Sequence, residues 1–328
     1  MDAADVADRA TRPDAGESYT PPMQDMQDMV DSAALADDPA ALRARLASDG
    51  YLFLRGLLPT GPVGDAGTRV RTILRAGGWR DHAPTPSAQA PGRAALAEAA
   101  HGATLLAAMA SRAFNRLPYL PPLRGLIRSL LGPDAFSYPV KVLRTVHPED
   151  ADHVPQGRHI HHDYGAASVD DMLTTWLPLM PIPRQMGGLA VLPGSNRGRP
   201  RLPRLLAADQ RGWATADYEM GDVLVFHCLT AHAALPNRSH TLRLSQDSRW
   251  QSADRPAPAT MVYGPPRRGA AKRELYSRLL RSEPWWEPIP ATTVIVDEKQ
   301  NDAKRPASRL FDVHPAWALY HRLSGPVH

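Results

Sequence analysis

The sequence predicts a mainly β protein with flanking helices, its core an antiparallel sandwich or barrel. Three observations carry this. From Phe136 onward, short β-type runs follow one another, with turn residues between them: 137–145, 159–164, 173–178, 188–192, 222–227 and 241–250. No crossover helices separate them, which argues against a parallel βαβ sheet. The chain has 328 residues, 43% hydrophobic and 22% charged, which is ordinary globular usage and enough to bury a sizeable core.

The elements read in order as follows. Residues 1–38 hold ten acids against Arg9 and Arg12 and lack sustained apolar periodicity, so they are expected to form an acidic flexible tail. Asp38-Pro39 supplies a cap and a first-turn proline, and Leu42 and Leu46 at i, i+4 give a short amphipathic helix that Asp49-Gly50 stops. A strand over 51–55 and a helix over 63–76 follow, the helix closed by Gly77-Gly78. Residues 81–93 read as a loop. Helices are expected over 94–114 and 123–131, separated by Pro118 and Pro121-Pro122. Beyond the β region lie a helix near 272–281, the pair Trp285-Trp286, a β-type run over 292–296 and a helix near 315–323. Residues 39–328 are expected to form one domain, with a helical lead-in (39–135), a β core (136–255) and a C-terminal cap (256–328).

Charge and cysteine content narrow the function. The net charge is +4, but the acidic tail alone carries −8, so the body is basic. Its arginines are scattered without interleaved aromatics, which argues against nucleic acid and suits a small anionic substrate or an acidic carrier partner. No apolar run approaches the roughly 18 residues of a membrane span, and no secretory leader is read at the start. The single cysteine, Cys228, cannot form an internal disulfide, so the expected setting is cytoplasmic. The sequence does not specify an oligomeric state.

Thirteen histidines prompt a search for metal ligands. On the expected strand 159–164, His161 and Asp163 at i, i+2 point to one face. His147-Pro148-Glu149 is the other His-x-acid pair, and its proline weakens it. After the strand 222–227 the chain turns to present His232, and two histidines with one carboxylate make a facial triad. Such a triad leaves adjacent positions on iron open for a chelating cosubstrate and dioxygen. Eleven residues later lies Arg243. On the strand that follows, Thr241, Arg243, Ser245, Asp247 and Arg249 form a polar row on one face, while Leu242 and Leu244 face the other way. Arg243 there can clamp a carboxylate, with Ser245 adding a further hydrogen bond; an ion pair with Asp247 is its bland alternative. Trp176 and Trp250 read as core aromatics, and His227 as packing.

The stretches His161-His-Asp-Tyr164, Thr175-Trp-Leu-Pro-Leu179, Gly187-Gly-Leu-Ala-Val-Leu-Pro-Gly-Ser195, Gly221-Asp-Val-Leu-Val-Phe-His227, His232-Ala-Ala-Leu-Pro-Asn237 and Leu242-Arg-Leu-Ser245 together resemble the phytanoyl-CoA dioxygenase family of iron(II)- and 2-oxoglutarate-dependent oxygenases. The lead-in Asp49-Gly-Tyr-Leu-Phe-Leu-Arg-Gly-Leu57 resembles it too. The resemblance implies a double-stranded β-helix, or jelly roll, with His161, Asp163 and His232 on iron. It further implies Arg243 on the distal carboxylate of 2-oxoglutarate, and Lys141 is the candidate for an additional contact from an earlier strand. Where the family often reads Pro-Gly-Ser-His, this chain has Asn196. Because Asp163 is present, oxygenation is expected over halogenation.

The implied reaction hydroxylates an unactivated C–H of a small molecule, free or carried as an acyl group, consuming O2 and releasing succinate and CO2. Desaturation, cyclisation or epimerisation at the same site is the alternative within enzymes. A jelly-roll protein that binds a metabolite without turnover is the alternative outside them.

Overall fold

A computed structural model of the chain describes residues 26–80, 102–148, 160–163, 169, 171–197, 212–263 and 287–296. Residues 26–38, expected to belong to the tail, lie against the fold. A short strand β1 (Gln27–Asp28) pairs in parallel with β7 (Ala214–Thr215), and Met29 and Ser32 are buried. Helix α1 (Pro39–Asp49) starts where the Asp38 side chain accepts from the backbone N–H groups of Ala40 and Ala41, and it ends at Gly50 in the left-handed region. Strand β2 (Tyr51–Leu54) and helix α2 (Thr60–Ala76) follow as read. The helix expected over 94–114 is interrupted: residues 102–109 are helical, and the chain restarts as α3 (Arg112–Asn115). The break is stabilised by Asn115, whose Nδ2 donates to the Met109 carbonyl, which a continuous helix would have used, and to that of Ser111. Helix α4 is Pro121–Leu131.

Two sheets follow. The larger runs in the order β2, β8 (Val223–His227), β5 (Leu173–Pro178), β10 (Arg243–Gln251). The free edge of β10 is lined by β3 (Phe136–Ser137) and β4 (Val142–Val146). The smaller runs β1, β7, β6 (Leu189–Val191), β9 (His232–Ala234). Every pairing among β2, β4, β5, β8 and β10 is antiparallel, as the lack of crossover helices predicts. The strand expected over 137–145 is split because Pro139 cannot donate to the ladder. The strand expected over 159–164 is reduced, among the described residues, to a single bridge at His161.

Side chains opposite one another on paired strands share a face, and this sorts the large sheet. Its outer face meets the helices: Gln246 Nε2 donates to the Phe114 carbonyl at 2.6 Å, and Trp250 packs edge-on to Tyr119. Gly67 lets α2 close down, since a Cβ there would sit 2.2 Å from the Leu179 carbonyl oxygen. The inner face looks toward the small sheet, with Trp176 against Tyr218 and Phe226 against the His232 ring. Trp176 and Trp250 are both core aromatics, each at most 1% exposed. At the C-terminal end, β11 (Ala257–Pro258) pairs with β12 (Ile295–Val296), and Glu287 forms ion pairs with Arg124 and Arg128 of α4. The expected loop 81–93, the helices near 272–281 and 315–323, and Trp285-Trp286 lie outside the described residues. Among the described residues no helix is long and apolar enough to cross a membrane.

Candidate active site

His161 and His232 exchange two backbone hydrogen bonds of 3.1 Å, so the single bridge between the two segments sets their side chains side by side, ring centroids 4.2 Å apart. Two residues on, Asp163 turns to the same place. The liganding atoms of His161, Asp163 and His232 all lie within 4.8 Å of one another, a group that could hold one metal ion. His232 Nδ1 lies 2.9 Å from the Thr230 carbonyl, which accepts its proton and turns Nε2 toward Asp163, 4.0 Å away.

The protonation states suit a metal. Burial pushes the Asp163 carboxyl up, but the Arg249 guanidinium beside it, together with the neighbouring His232 and His161, more than offsets that and holds it well below the usual carboxylate range. Burial pushes His232 down to about 3, so its imidazole is neutral and its lone pair available. Arg249 Nη2 donates to Asp163 Oδ1 at 2.9 Å, and Thr174 Oγ1 donates to Oδ2 at 2.5 Å. These two supports were not singled out from the sequence. Arg249 stood there only as one of the polar row on β10, and its register partner Thr174 carried no signal. The neighbouring histidines are directed elsewhere: His162 Nδ1 meets the Leu229 carbonyl at 2.7 Å, and His227 Nδ1 accepts from the Leu229 N–H.

Arg243 is 1% exposed, and its Nη1 donates to the carbonyls of Gly187 and Gly188 across the inter-sheet space. Gly188 lies three residues from Val191, the register partner of His232. At ~3.3 Å per strand residue this puts the guanidinium roughly 10 Å from the histidine, a gap that a five-carbon diacid bridges with one end on a metal. Ser245, on the same face, is fully buried, and its Oγ has no hydrogen-bond partner among the described residues. A buried hydroxyl without a partner beside a guanidinium fits a carboxylate that takes hydrogen bonds from both.

One expectation is not met, and one alternative is not realised. Lys141 is not brought to this cluster: its ammonium is held by the Tyr119 hydroxyl at 3.0 Å and the Tyr138 carbonyl at 2.7 Å, toward the helices. Lys141 has the parity of Ser137 and Leu143, which oppose the outward-facing Trp250 and Gln246 of β10, so alternation turns it outward. Nor is Asp247 the partner of Arg243, because Arg144 Nε donates to it at 2.6 Å. Asn196, where a histidine is frequent in the family, donates to the Ala47 carbonyl at 3.0 Å and ties the end of α1.

A jelly-roll core carrying a His-Asp-His triad that could hold a metal, with a buried arginine on the same inner face, is the frame of a non-haem metal oxygenase. The profile of the phytanoyl-CoA dioxygenase (PhyH) family matches residues 46–245, more than half of the sequence, and the chain belongs to that family. It is therefore an iron(II)- and 2-oxoglutarate-dependent oxygenase acting on a small molecule. The chain is similar to 1-deoxypentalenic acid 11-beta-hydroxylase of Streptomyces exfoliatus, 27% identical over 257 residues, covering 70% of this chain and 86% of that protein. The same enzyme from Streptomyces arenae is 27% identical over 262 residues, covering 69% and 86%. Among solved structures, EctD from S. alaskensis with 2-oxoglutarate and 5-hydroxyectoine shares the fold. Its TM-score is 0.52 at 18% identity, covering 88% of this chain and 97% of that one. The non-heme monooxygenase ThoJ in complex with nickel gives a TM-score of 0.50 at 21% identity, covering 73% and 96%.

Proposed function

We propose that this chain hydroxylates an unactivated C–H bond of a small metabolite, with iron(II) on His161, Asp163 and His232 and 2-oxoglutarate on Arg243 and Ser245. The observation that carries the reading is the clustering of the liganding atoms of His161, Asp163 and His232 within 4.8 Å of one another, with buried Arg243 on the Gly187 and Gly188 carbonyls roughly 10 Å along the strand. When bound, the metal and cosubstrate supply dioxygen activation coupled to decarboxylation, with succinate and CO2 as co-products.

The chain's own groups do the rest. Thr174 and Arg249 fix both oxygens of Asp163, so one carboxylate geometry is presented to the ion. The Thr230 carbonyl keeps the proton of His232 on Nδ1. Arg243 and Ser245 orient the far end of the diacid, and Phe226 and Trp176 exclude water from the space between the sheets. By analogy with the two hydroxylases, the substrate is a free acid of modest size and not a carrier-bound acyl group. Residues 39–328 form one oxygenase domain in this reading, and the reducing cytoplasm suits both iron(II) and a buried cysteine that forms no disulfide, Cys228.

The test is an anaerobic titration of metal-free protein with iron(II) and 2-oxoglutarate, read by the visible charge-transfer band of the chelate. Wild type is expected to develop the band, Arg243→Ala to need at least 10-fold more 2-oxoglutarate, and His232→Ala to lose it. Product mass then reads the reaction: a gain of one oxygen for hydroxylation, a loss of two hydrogens for desaturation, no change for epimerisation. A band that survives His232→Ala overturns the metal assignment.

A further inference from the structure

The inner face of the large sheet carries more cationic side chains than the proposed reaction uses. Arg243 takes one carboxylate of the cosubstrate, the metal takes the other, and Arg249 is committed to Asp163 at 2.9 Å. A third guanidinium remains. Arg144 on β4 is the register partner of Ser245 and so shares the inner face with it. Its Nε donates to Asp247 Oδ2 at 2.6 Å, which fixes the side chain along the strand, while the side chain as a whole stays 44% exposed. No other acceptor among the described residues is recorded for it. Asp247 is itself only 6% exposed, so Arg144 is held on a buried carboxylate with the far edge of its planar fork directed away from that bond. Beside the pair, Trp176 is the register partner of Asp247. Its Nε1 and Asp247 Oδ1 are both buried without a hydrogen-bond partner among the described residues.

We infer that Arg144, Asp247 and Trp176 form a substrate-orienting site that takes an oxygen-acceptor group, a carboxylate, on the substrate. The inference rests on the proposed oxygenase reading and names the substrate class of the same site. Donors decide the ligand: the terminal nitrogens of Arg144 carry four N–H bonds and the indole one more, against a single open carboxylate oxygen on Asp247. A planar guanidinium can hold two carboxylates at once, one on its Nε edge and one on its terminal edge, so Asp247 positions Arg144 without consuming it. The site sits between Ser245 and Arg249 on one strand face, hence between the cosubstrate clamp and the metal-bearing carboxylate. A carboxylate anchored there places the remainder of a small substrate over the metal. A cosubstrate role for Arg144 is disfavoured because both ends of the diacid are already accommodated.

The experiment uses the full chain with iron(II) and 2-oxoglutarate and measures succinate release stimulated by 1-deoxypentalenic acid, by a panel of alicyclic monocarboxylates, and by the matching primary alcohols and methyl esters. Carboxylates are expected to stimulate release and their alcohols and esters to do so at least 10-fold less well. Arg144→Gln is expected to raise the half-saturating carboxylate concentration at least 10-fold while leaving the 2-oxoglutarate midpoint of the charge-transfer band within about 2-fold of wild type. Arg144→Lys, which keeps the charge and loses the fork, should fall between. Trp176→Phe, which keeps the ring and removes the N–H, should raise the same concentration by a smaller factor. Three outcomes overturn the proposal: alcohols that work as well as acids, an Arg144→Gln protein that responds to acids like wild type, or an Arg144→Gln protein whose 2-oxoglutarate midpoint shifts as that of Arg243→Ala does. Intact bands with no stimulation by any carboxylate also overturn it and leave the oxygenase reading standing, whereas absence of the band in wild type removes that reading itself.

Discussion

Asp163 has to stay ionised where burial favours the neutral acid, and to hold an oxygen still where a metal can use it. Arg249 serves both needs, and Thr174 serves the second. The two effects of Arg249 on a bound ion oppose each other, because a neighbouring cation repels it while a fixed carboxylate attracts it. Losing a group that orients a ligand typically costs about 10–100-fold in metal affinity, which puts orientation ahead. Arg249→Met should therefore weaken iron(II) binding by about 10–100-fold. It should also lower the stability of the metal-free protein by about 3–5 kcal/mol, since a buried carboxylate loses its counter-charge. Thr174→Val changes no charge and should cost about 1–3 kcal/mol through the unsatisfied carboxylate oxygen. Iron titration and urea unfolding of the two variants measure these effects, and an Arg249→Met protein that binds iron as wild type does would show that Arg249 does not position Asp163.

At the scale of elements, the turn before β6 carries the proposed clamp. Gly187 has φ +67°, and a Cβ there would sit 2.1 Å from the Pro236 carbonyl oxygen, so neither its backbone nor its surroundings admit a side chain. Its own carbonyl accepts from Arg243. Gly187→Ala should thus cost about 2–4 kcal/mol, from positive-φ strain plus overpacking, and should raise the 2-oxoglutarate needed to form the charge-transfer band. Thermal unfolding and the band titration report the two effects separately, and a variant that lost stability while keeping the wild-type midpoint would detach the turn from the clamp. Much at this scale was legible in the sequence. β5 and β8 announce themselves as β-branched and apolar runs, and the polar alternation of β10 marks its inner face, because period-2 patterning is a direct image of a sheet with two different sides. Lys141 was misread because it shares the face of Ser137 and Leu143, whose register partners Trp250 and Gln246 meet the helices, and which parity of a half-apolar run faces inward is decided by that pairing and not by the run itself. The supports of Asp163 were illegible for a related reason: Thr174 and Arg249 meet it through cross-strand register, which no local spacing encodes. The same holds for β1, whose two residues acquire a strand only by lying on β7.

For the whole molecule, the site ties together pieces far apart in sequence. His161, Asp163 and His232 come from two segments, Thr174 and Arg249 from two strands of the large sheet, and the Gly187 and Gly188 carbonyls from the turn into β6 of the small one. A ligand that binds all of these only in the folded state must stabilise the fold as a whole, by about 2.7 kcal/mol at a concentration 100-fold above its dissociation constant. Metal and cosubstrate should separate in this readout, because the metal is held without Arg243 whereas the far carboxylate is not. Under anaerobic conditions, iron(II) alone should raise the Tm of wild type, and 2-oxoglutarate should add a second increment only when iron is present. Arg243→Ala should keep the first increment and lose most of the second, while His232→Ala should lose both, since the chelating end of the diacid then has no ion to bind. Differential scanning calorimetry with the four ligand combinations measures this directly. A second increment that persists in iron-free protein would mean that the diacid binds without the metal, and the coupling between triad and clamp would then have to be abandoned.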